Sequence, residues 1–390
     1  MSSVNEWPMV KLGDIQRKVS SINPAKSPDQ EFSLYSIPAY DAGAPEKALG
    51  SAIKSNKIEL QPGDTLLSKI VPHIRRSWIV DEHETSSIGS SEWIVYQDDR
   101  LDSRFLRNFF LSDYFHAQFM QTVAGVGGSL NRARPAAVAQ ISIPIPPRPE
   151  QQRIAEILDV TQQQFDLLKA RKTHLSSLRT GLVDQFLEAD DRETLPLKEI
   201  AEIQSGITKG RRVRNGEILT ETAYMAVSNV KDGHLNLGTV KTIPTTEAEI
   251  TRFRLKAGDV LLTEGGDPDK LGRGTVWRDE IEPCLHQNHI FRVRLPEDSR
   301  FTPEVLMAML STKQARAYFF RSAKQTTGIA SINKTQLSAV PVPILTDSEI
   351  AKLSEALTQI DILSSYIEKR RIATESLHRA LSTRAFAGQL

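Results

Sequence analysis

The stretch IPIPPRPEQQRI at Ile143–Ile154 introduces a long segment without proline, which continues to Glu188. A second pair of the same kind closes the chain, where VPVP at Val340–Pro343 precedes the proline-free segment Glu349–Leu390. Proline fixes φ and removes a backbone donor, so each proline segment predicts extended chain just before a helix. At about 1.5 Å per residue, each helix would be on the order of 50–60 Å long.

Apolar side chains recur at three- and four-residue steps along both segments and form a narrow seam. Such a seam is typical of coiled coils. Two matched seams, one closing each half of the chain, favour an antiparallel helix pair with a globular domain at each end. Two separate helices, each packing on its own domain, remain the alternative. The seam residues are Ile154, Leu158, Phe165, Leu168, Leu175, Leu178 and Leu182 in the first helix, and Ile350, Leu353, Leu357, Ile360, Ile367, Leu377 and Leu381 in the second.

The second half of the chain repeats the first. PGDTLL at Pro62–Leu67 returns as AGDVLL at Ala257–Leu262, 195 residues later. SLNR at Ser129–Arg132 matches SINK at Ser331–Lys334, 202 residues later. Ahead of each proline segment, short apolar runs bounded by turn residues predict strands, together with an amphipathic helix.

These patterns predict a mixed α/β fold of the α+β class. We expect two similar globular domains in tandem repeat, separated by two long helices that form an antiparallel coiled coil. The predicted boundaries are 1–148 for the first domain, 149–191 for the first helix, 192–343 for the second domain and 344–390 for the second helix.

Composition excludes several classes of protein. The chain has 390 residues, a net charge of +1 and 25% charged residues, values typical of a soluble globular protein. The single cysteine, Cys284, excludes a disulfide framework and a cysteine-cluster metal site. We find no secretory leader and no apolar run long enough to span a membrane, and therefore expect a cytoplasmic protein.

The motifs of common nucleotide-dependent and metal-dependent enzymes are missing. There is no P-loop, no dinucleotide fingerprint, no H-E-x-x-H and no metal-ligand spacing among the eight histidines. Asp259 with Glu264 could be nuclease carboxylates, but the first repeat has Asp64 with Lys69 at these positions, so the pair is not shared. We interpret Asp64 and Asp259 as caps of a turn before an apolar strand, and we predict no catalytic site and no bound metal.

Three sequence features together resemble the specificity (S) subunits of type I restriction–modification systems. Ile143–Ile154 is similar to that family's Pro-Leu-Pro-Pro-Leu-x-Glu-Gln-x-x-Ile segment, which also precedes a long helix. Gly258–Thr263 resembles its Gly-Asp-x-Leu strand, and Arg384–Leu390 resembles its usual ending. The second proline segment departs from the pattern, because LTDSEI at Leu345–Ile350 replaces the Glu-Gln-x-x-Ile tail. That departure puts equal docking of a partner by both helices in doubt.

The resemblance implies a non-catalytic subunit that binds double-stranded DNA. Each of the two target-recognition domains would read one half of a split, asymmetric site. The helices would set the spacing and dock modification (methyltransferase) subunits, two in number, with restriction (translocase/endonuclease) subunits in a larger complex. S-adenosylmethionine, ATP and Mg²⁺ would be used by those partners, and this chain itself would bind no cofactor. A structural coiled-coil scaffold whose two heads bind proteins is the alternative.

Lysine, arginine and asparagine in loops near the predicted strands are the candidates for DNA contact, since cations bind phosphates and these side chains also reach base edges. An ordinary solvated surface is the alternative for each cluster. The candidates are Lys69, His73, Arg75 and Arg76 after the first apolar strand; Lys209, Arg211, Arg212 and Arg214 after Gly206; Lys270 and Arg273 in the second half; and Asn131, Arg132, Arg134, Asn333 and Lys334 at the end of each domain.

Overall fold

The chain divides into two compact units. Unit 1 comprises Met1–Lys169 and Glu368–Leu390, and unit 2 comprises Ala170–Ile367. The structure, a computed structural model, describes residues 7–124, 131–187, 192–210, 218–266, 271–326 and 329–390.

Unit 1 begins with a mixed α/β region. Its strands are β1 (Met9–Lys11), β2 (Ser21–Ile22), β3 (Glu31–Tyr35), β4 (Glu46–Leu49), β5 (Lys57–Glu59), β6 (Thr65–Ser68), β7 (Ser77–Ile79), β8 (Ser86–Gly89), β9 (Trp93–Tyr96), β10 (Val123–Ala124), β11 (Arg132–Ala133) and β12 (Ser142–Pro144). Its short helices are α1 (Ile37–Ala42), α2 (Ser103–Leu111), α3 (Asp113–Met120) and α4 (Pro135–Val138), with 3-10 turns at Leu12–Asp14, Pro24–Lys26 and Gly50–Ala52. The two larger sheets have the orders β2-β5-β8-β3-β4 and β7-β6-β9.

The long helix α5 (Arg148–Leu187) starts in unit 1 and ends in unit 2. The strands of unit 2 are β13 (Thr194–Pro196), β14 (Glu202–Ser205), β15 (Thr220–Met225), β16 (Lys241–Thr245), β17 (Val260–Thr263), β18 (Gly265–Gly266), β19 (Gly274–Val276), β20 (Cys284–His286), β21 (Ile290–Arg294), β22 (Lys324–Thr326), β23 (Ile329–Ser331) and β24 (Pro341–Pro343). Its short helices are α6 (Glu247–Phe253), α7 (Pro303–Leu310), α8 (Lys313–Ser322) and α9 (Lys334–Ser338), with a 3-10 turn at Leu197–Glu199. The second long helix, α10 (Asp347–Phe386), leads from unit 2 back into unit 1.

The two units share a strand topology. β6 lies between β7 and β9 in unit 1, and β17 lies between β19 and β21 in unit 2. Thr65 is opposite Tyr96 in the first arrangement and Val260 is opposite Val293 in the second, which preserves the interval of 195 residues along the central strand. The mixed α/β class with long helices is therefore confirmed, while the predicted domain boundaries stay predictions.

Both ends of each long helix belong to the core of a globular unit. In unit 1, Ile154 and Leu158 of α5 lie in one buried cluster with Phe105, Phe109 and Phe386, and the rings of Phe109 and Phe386 are 5.3 Å apart. In unit 2, a corresponding cluster holds residues from the end of α5 and the start of α10. Its helix members are Val183, Leu187, Ile350, Leu353 and Leu357.

Most seam positions face inward, but two do not. Ile154, Leu158, Leu168, Ile350, Leu353, Leu357 and Ile367 are buried, and Phe165, Leu175, Leu182, Ile360 and Leu381 are half-buried. Leu178 and Leu377 were wrongly included, because their side chains are 49% and 52% exposed. The three- and four-residue steps drift around a 3.6-residue helix over its length, so a seam chosen by spacing alone reaches the solvent face.

The aspartate of each Gly-Asp repeat caps a turn, as predicted. Asp64 accepts a hydrogen bond from the backbone N–H of Gln61 at 2.7 Å, and Asp259 accepts one from Lys256 at 2.7 Å. Each carboxylate is also held by an arginine: Arg17 donates to Asp64 and Arg294 donates to Asp259, in both cases through Nε and Nη2. Each repeat thus anchors its central strand with an ion pair whose carboxylate is buried and whose guanidinium is partly exposed.

The Glu-Gln of the first proline segment has a structural role. Gln151 is fully buried, and its side-chain oxygen accepts from the Asp102 N–H at 2.7 Å. Its amide donates to the carbonyl oxygens of Arg100 and Pro146 at 2.9 and 2.8 Å. The equivalent position in the second repeat is Ile350, which is buried in the apolar core of unit 2. The first repeat therefore has a buried, hydrogen-bonded glutamine at the position where the second repeat has an isoleucine packed in the core.

The buried imidazole of His286 makes the stability of unit 2 sensitive to pH. The ring is fully buried, Nδ1 lies 3.0 Å from the Ile290 carbonyl oxygen, and Nε2 has no partner. Burial lowers the pKa of His286 to about 4. Because the unfolded chain binds this proton more readily, the stabilisation is complete above about pH 6.5 and is lost as pH falls toward 4.

Replacing His286 with leucine should remove part of this pH dependence. We expect the wild-type free energy of unfolding to fall by about 2 kcal/mol more than that of His286→Leu between pH 7 and pH 5. Urea unfolding of unit 2 at both pH values, followed by amide hydrogen exchange, measures the difference. His234→Gln, a change at an exposed histidine, is the control. An equal fall in the free energy of unfolding between pH 7 and pH 5 for wild type and His286→Leu would contradict this role of His286.

Candidate nucleic-acid interface

The basic cluster after β6 separates into exposed and buried members. Lys69 is half-buried and its Nζ donates to the Ser91 carbonyl oxygen at 2.7 Å, whereas His73 is exposed. Arg75 is held against the α2–α3 junction, with Nη1 3.0 Å from the Leu111 carbonyl oxygen and Nη2 2.6 Å from Asp113.

Arg76 does not fit a DNA contact. Its side chain is 8% exposed, and its Nε and Nη2 donate to the two carboxylate oxygens of Asp41 at 2.7 and 2.8 Å. The hydrogen bonds to Arg76 lower the pKa of Asp41. The prediction that Arg76 contacts DNA is therefore wrong: its guanidinium is buried against Asp41 just before β7, where Ser77 is also buried, while the preceding Arg75 is exposed.

The second and third candidate clusters are described only in part. Arg211, Arg212 and Arg214 lie outside the described residues, as does Lys270. Lys209 is exposed at the last described turn before that gap, and Arg273 is half-buried beside β17, where its carbonyl oxygen accepts from the Thr263 N–H at 2.8 Å.

The repeat of Asn131 in Asn333 is not a structural equivalence. Asn333 caps helix α9, where its side chain accepts from the Gln336 N–H at 2.9 Å. The residue that precedes the matching helix α4 is Arg134, 199 positions earlier. The predicted interval of 202 is therefore wrong at this point, because the short SLNR and SINK strings resemble each other out of register. Arg134 and Lys334 are both exposed.

In each unit, the chain that continues from the central strand pairs with a later segment and forms a small edge. In unit 1, the Lys69 N–H donates to Glu92 O at 3.0 Å, and the Lys69 carbonyl oxygen accepts from the Ala133 N–H at 2.8 Å. In unit 2, Glu264 makes the same two bonds, to His289 O at 3.0 Å and from the Ile332 N–H at 2.8 Å. We name Lys69, Glu92 and Arg132 edge 1, and Glu264, His289 and Ser331 edge 2.

The third member of each edge occupies the same place in the pairing. Arg132 bridges to Ile70 in unit 1, and Ser331 pairs with Gly265 in unit 2. At edge 1, the guanidinium of Arg132 lies 3.1 Å from the Glu92 carboxylate. At edge 2, Nδ1 of His289 lies 2.6 Å from the Glu264 carboxylate. Glu92 and His289 were missed by the sequence analysis, although they directly precede β9 and β21 and an alignment at 197 residues would have paired them.

Comparison with known proteins shows which family this strand arrangement is similar to. Residues 5–177 match the family model of the type I restriction modification DNA specificity domain. The first part of the chain is therefore similar to that domain family. The resemblance to type I specificity subunits inferred from sequence motifs is thereby confirmed, and curated relatives extend it beyond the first domain.

The curated relatives are themselves type I specificity subunits. The EcoKI specificity subunit of Escherichia coli (strain K12) is 25% identical over 325 residues, which cover 78% of this chain and 69% of the relative. The StySPI specificity subunit of Salmonella potsdam is 23% identical over 312 residues, covering 74% of this chain and 66% of the relative. The chain thus spans about two thirds of the length of these specificity subunits.

Two solved structures share the fold over nearly the whole chain. One belongs to a study of complex assembly and conformational transition in the type I restriction–modification system, with a TM-score of 0.59, 18% identity and 99% of each chain covered. The other is the type I system S subunit of M. genitalium, with a TM-score of 0.58, 12% identity, and 99% and 97% covered. At these identities the likeness concerns the specificity-subunit fold alone.

The described residues contain no cluster of histidine, cysteine and carboxylate groups suited to a metal ion and no helix suited to a membrane span. No group of three or more such side chains in the described ranges could hold a metal ion. Over the same ranges, each helix is too short or too polar to cross a bilayer.

Proposed function

We propose that this chain is the DNA-specificity subunit of a type I restriction–modification complex. The observation that carries the proposal is the match of residues 5–177 to a DNA specificity domain, together with the recurrence of the same strand topology in unit 2. The chain contributes sequence recognition and no catalytic step. Methylation, and translocation or cleavage, belong to partner subunits that use S-adenosylmethionine, ATP and Mg²⁺.

Each unit reads one half of a bipartite, asymmetric DNA site. The support is that the two units keep one backbone framework and carry different polar side chains at its edge, with Arg132 in unit 1 where unit 2 has Ser331. Matching backbone pairing at the edge with different side-chain chemistry would recognise different half-sites. A scaffold whose two domains bind proteins would not direct methylation to a defined DNA motif.

The two long helices form an antiparallel coiled coil that sets the half-site separation and docks two methyltransferase subunits. The supporting contacts run in opposite directions along α5 and α10. They are Thr161 Oγ1 to His378 Nδ1 at 2.8 Å and the Arg371 guanidinium 5.4 Å from the Phe165 ring within unit 1, and Arg179 to Asp361 at 3.6 Å within unit 2. Residue numbers rise along one helix as they fall along the other, as an antiparallel seam requires.

The purified chain alone should bind DNA weakly. Phosphate neutralisation dominates affinity for DNA, and the net charge is only +1. We expect a dissociation constant in the micromolar range or weaker at about 0.15 M salt, typical of non-specific binding. Fluorescence anisotropy with labelled duplex measures it, and a nanomolar, sequence-specific complex of the chain alone would contradict the expectation.

Selection of random duplexes by the complete complex tests the proposal. The chain is co-expressed with a type I methyltransferase subunit from the same genome, and the purified complex selects DNA from a random pool. The proposal predicts enrichment of one motif with two short defined parts and an undefined spacer. Failure to co-purify with the methyltransferase, or a complex that enriches no motif, would overturn it and favour the scaffold alternative.

A further inference from the structure

Edges 1 and 2 are equivalent in backbone and opposite in chemistry. The hydrogen bonds of Lys69 and Glu264 match in partner position and in distance, so their side chains start from corresponding points of the two units. Edge 1 presents a cation, an acid and a second cation. Edge 2 presents an acid, an imidazole and a hydroxyl at the same places.

The buried residues next to the two edges are alike in the two units, whereas the edge residues themselves differ. Next to Arg132, Ala133 is 1% exposed, and its counterpart Ile332 is also 1% exposed. The anchoring Asp–Arg pair recurs in both units. The edge side chains are partly open to solvent instead: Arg132 is 45% exposed and His289 is 55% exposed. Positions that the fold leaves free to differ are available for recognition.

A strained residue lies two positions after Lys69 of edge 1. Val71 has φ of +48°, a conformation that β-branched side chains rarely adopt, and its N–H donates to the Asn131 carbonyl oxygen at 3.0 Å. Residues held in such conformations concentrate at binding sites. The strain therefore marks the same edge as the exposed charges.

We infer that edges 1 and 2 are specificity-determining positions at which the two units select different bases, an inference that rests on the proposed function. Edge 1 offers donors from Arg132 and Lys69, which suit the acceptors O6 and N7 of guanine in the major groove. Edge 2 offers the Glu264 carboxylate as an acceptor, which suits the N4 amino group of cytosine. Glu92 and His289 act as positioning residues that orient Arg132 and Glu264.

Exchange of single edge residues between the units tests the inference. The full chain carrying Arg132→Ser or Glu264→Lys is co-expressed with its methyltransferase partner, and the methylated motif is mapped by single-molecule sequencing. Arg132→Ser should relax one base position of one half-site, with discrimination reduced about tenfold to a hundredfold. Glu264→Lys should alter the other half-site, and each variant should keep the spacer and the untouched half.

Arg100→Ser is the matched control. Arg100 also pairs with a carboxylate, Asp98 at 2.8 Å, and is 56% exposed, but it follows the far end of β9 from Glu92. This control should leave the motif unchanged. An unchanged motif in both edge variants, or changes confined to the same half-site, would overturn the inference while the proposed function stands. A wild-type complex that produces no motif overturns both.

If an edge variant no longer methylates DNA, DNA binding by the purified variant complex shows whether the edge selects a base or contacts a phosphate. The purified variant complex is titrated with the wild-type duplex and with duplexes substituted at one base each. Tolerance of substitution at one position supports base selection by that edge. Uniform weakening at every position, with a shallower salt dependence, indicates a phosphate contact and overturns the inference.

Discussion

Leu158→Asp is expected to unfold unit 1 and abolish assembly with the methyltransferase subunit. The side chain is 1% exposed and lies in the cluster that joins α5 to Phe105, Phe109 and Phe386. Removing a buried leucine costs about 2–5 kcal/mol, and an unpaired carboxylate in its place adds a desolvation penalty. Thermal unfolding and co-purification measure the two effects.

Val160→Asp is the control for that variant, since Val160 lies two residues away on the same helix and is 52% exposed. It introduces the same charge with a cost of about 0.5 kcal/mol or less. If Val160→Asp unfolds while Leu158→Asp stays folded, the solvent and core faces of α5 are assigned the wrong way round. Normal co-purification of Leu158→Asp would by itself contradict the seam.

Asp259→Asn is expected to destabilise unit 2 by about 3 kcal/mol, since it leaves the guanidinium of Arg294, which is three-quarters buried, without a countercharge. The Asp259 side chain is 1% exposed and accepts two hydrogen bonds from Arg294, each at 2.6 Å. Those bonds raise the pKa of Arg294. Asp64→Asn should act in the same way on unit 1 through Arg17, and urea unfolding measures both.

Asp98→Asn is the control that separates the effect of burial from the effect of hydrogen-bond geometry in these ion pairs. Asp98 also receives two hydrogen bonds from one arginine, Arg100, at 2.8 Å each, but that arginine is 56% exposed. A surface pair of this kind contributes about 1 kcal/mol or less. Equal losses for Asp98→Asn and Asp259→Asn would show that the buried pairs are not what anchors the central strands.

Local patterns predicted the elements of this fold well. Proline followed by a proline-free, amphipathic segment predicted both long helices, because backbone chemistry decides where a helix can begin. The interval of 195 residues between the Gly-Asp strands is confirmed by the register of β6 and β17. The capping role of Asp64 and Asp259 is also confirmed, since it depends on neighbours three residues away.

Long-range packing and side-chain direction were not predictable in this way. Spacing does not show that Phe386 packs against Phe105 and Phe109, because the apolar pattern of a helix states that a face is buried and not which core buries it. Arg76 and Arg75 are adjacent in sequence, but one is buried against Asp41 and the other lies at the surface. A basic run therefore identifies a region, and only the structure separates its members.

The positions of edges 1 and 2 could be found only after the strands were placed. A short string match aligned Asn131 with Asn333, while the backbone bonds align Arg134 with Asn333. Insertions between the repeats shift the interval from 195 to 199, so equivalence at the end of each domain depends on hydrogen-bond register and not on residue identity.

A genome-wide map of methylated bases, in cells with the gene intact and with the gene deleted, tests the central claim most directly. The account predicts that one motif with two defined parts, asymmetric and split by a fixed spacer, loses methylation on deletion and regains it when the wild-type chain is restored. An identical map in both strains, in cells where the partner methyltransferase is present and active, would contradict the assignment of this chain as a DNA-specificity subunit.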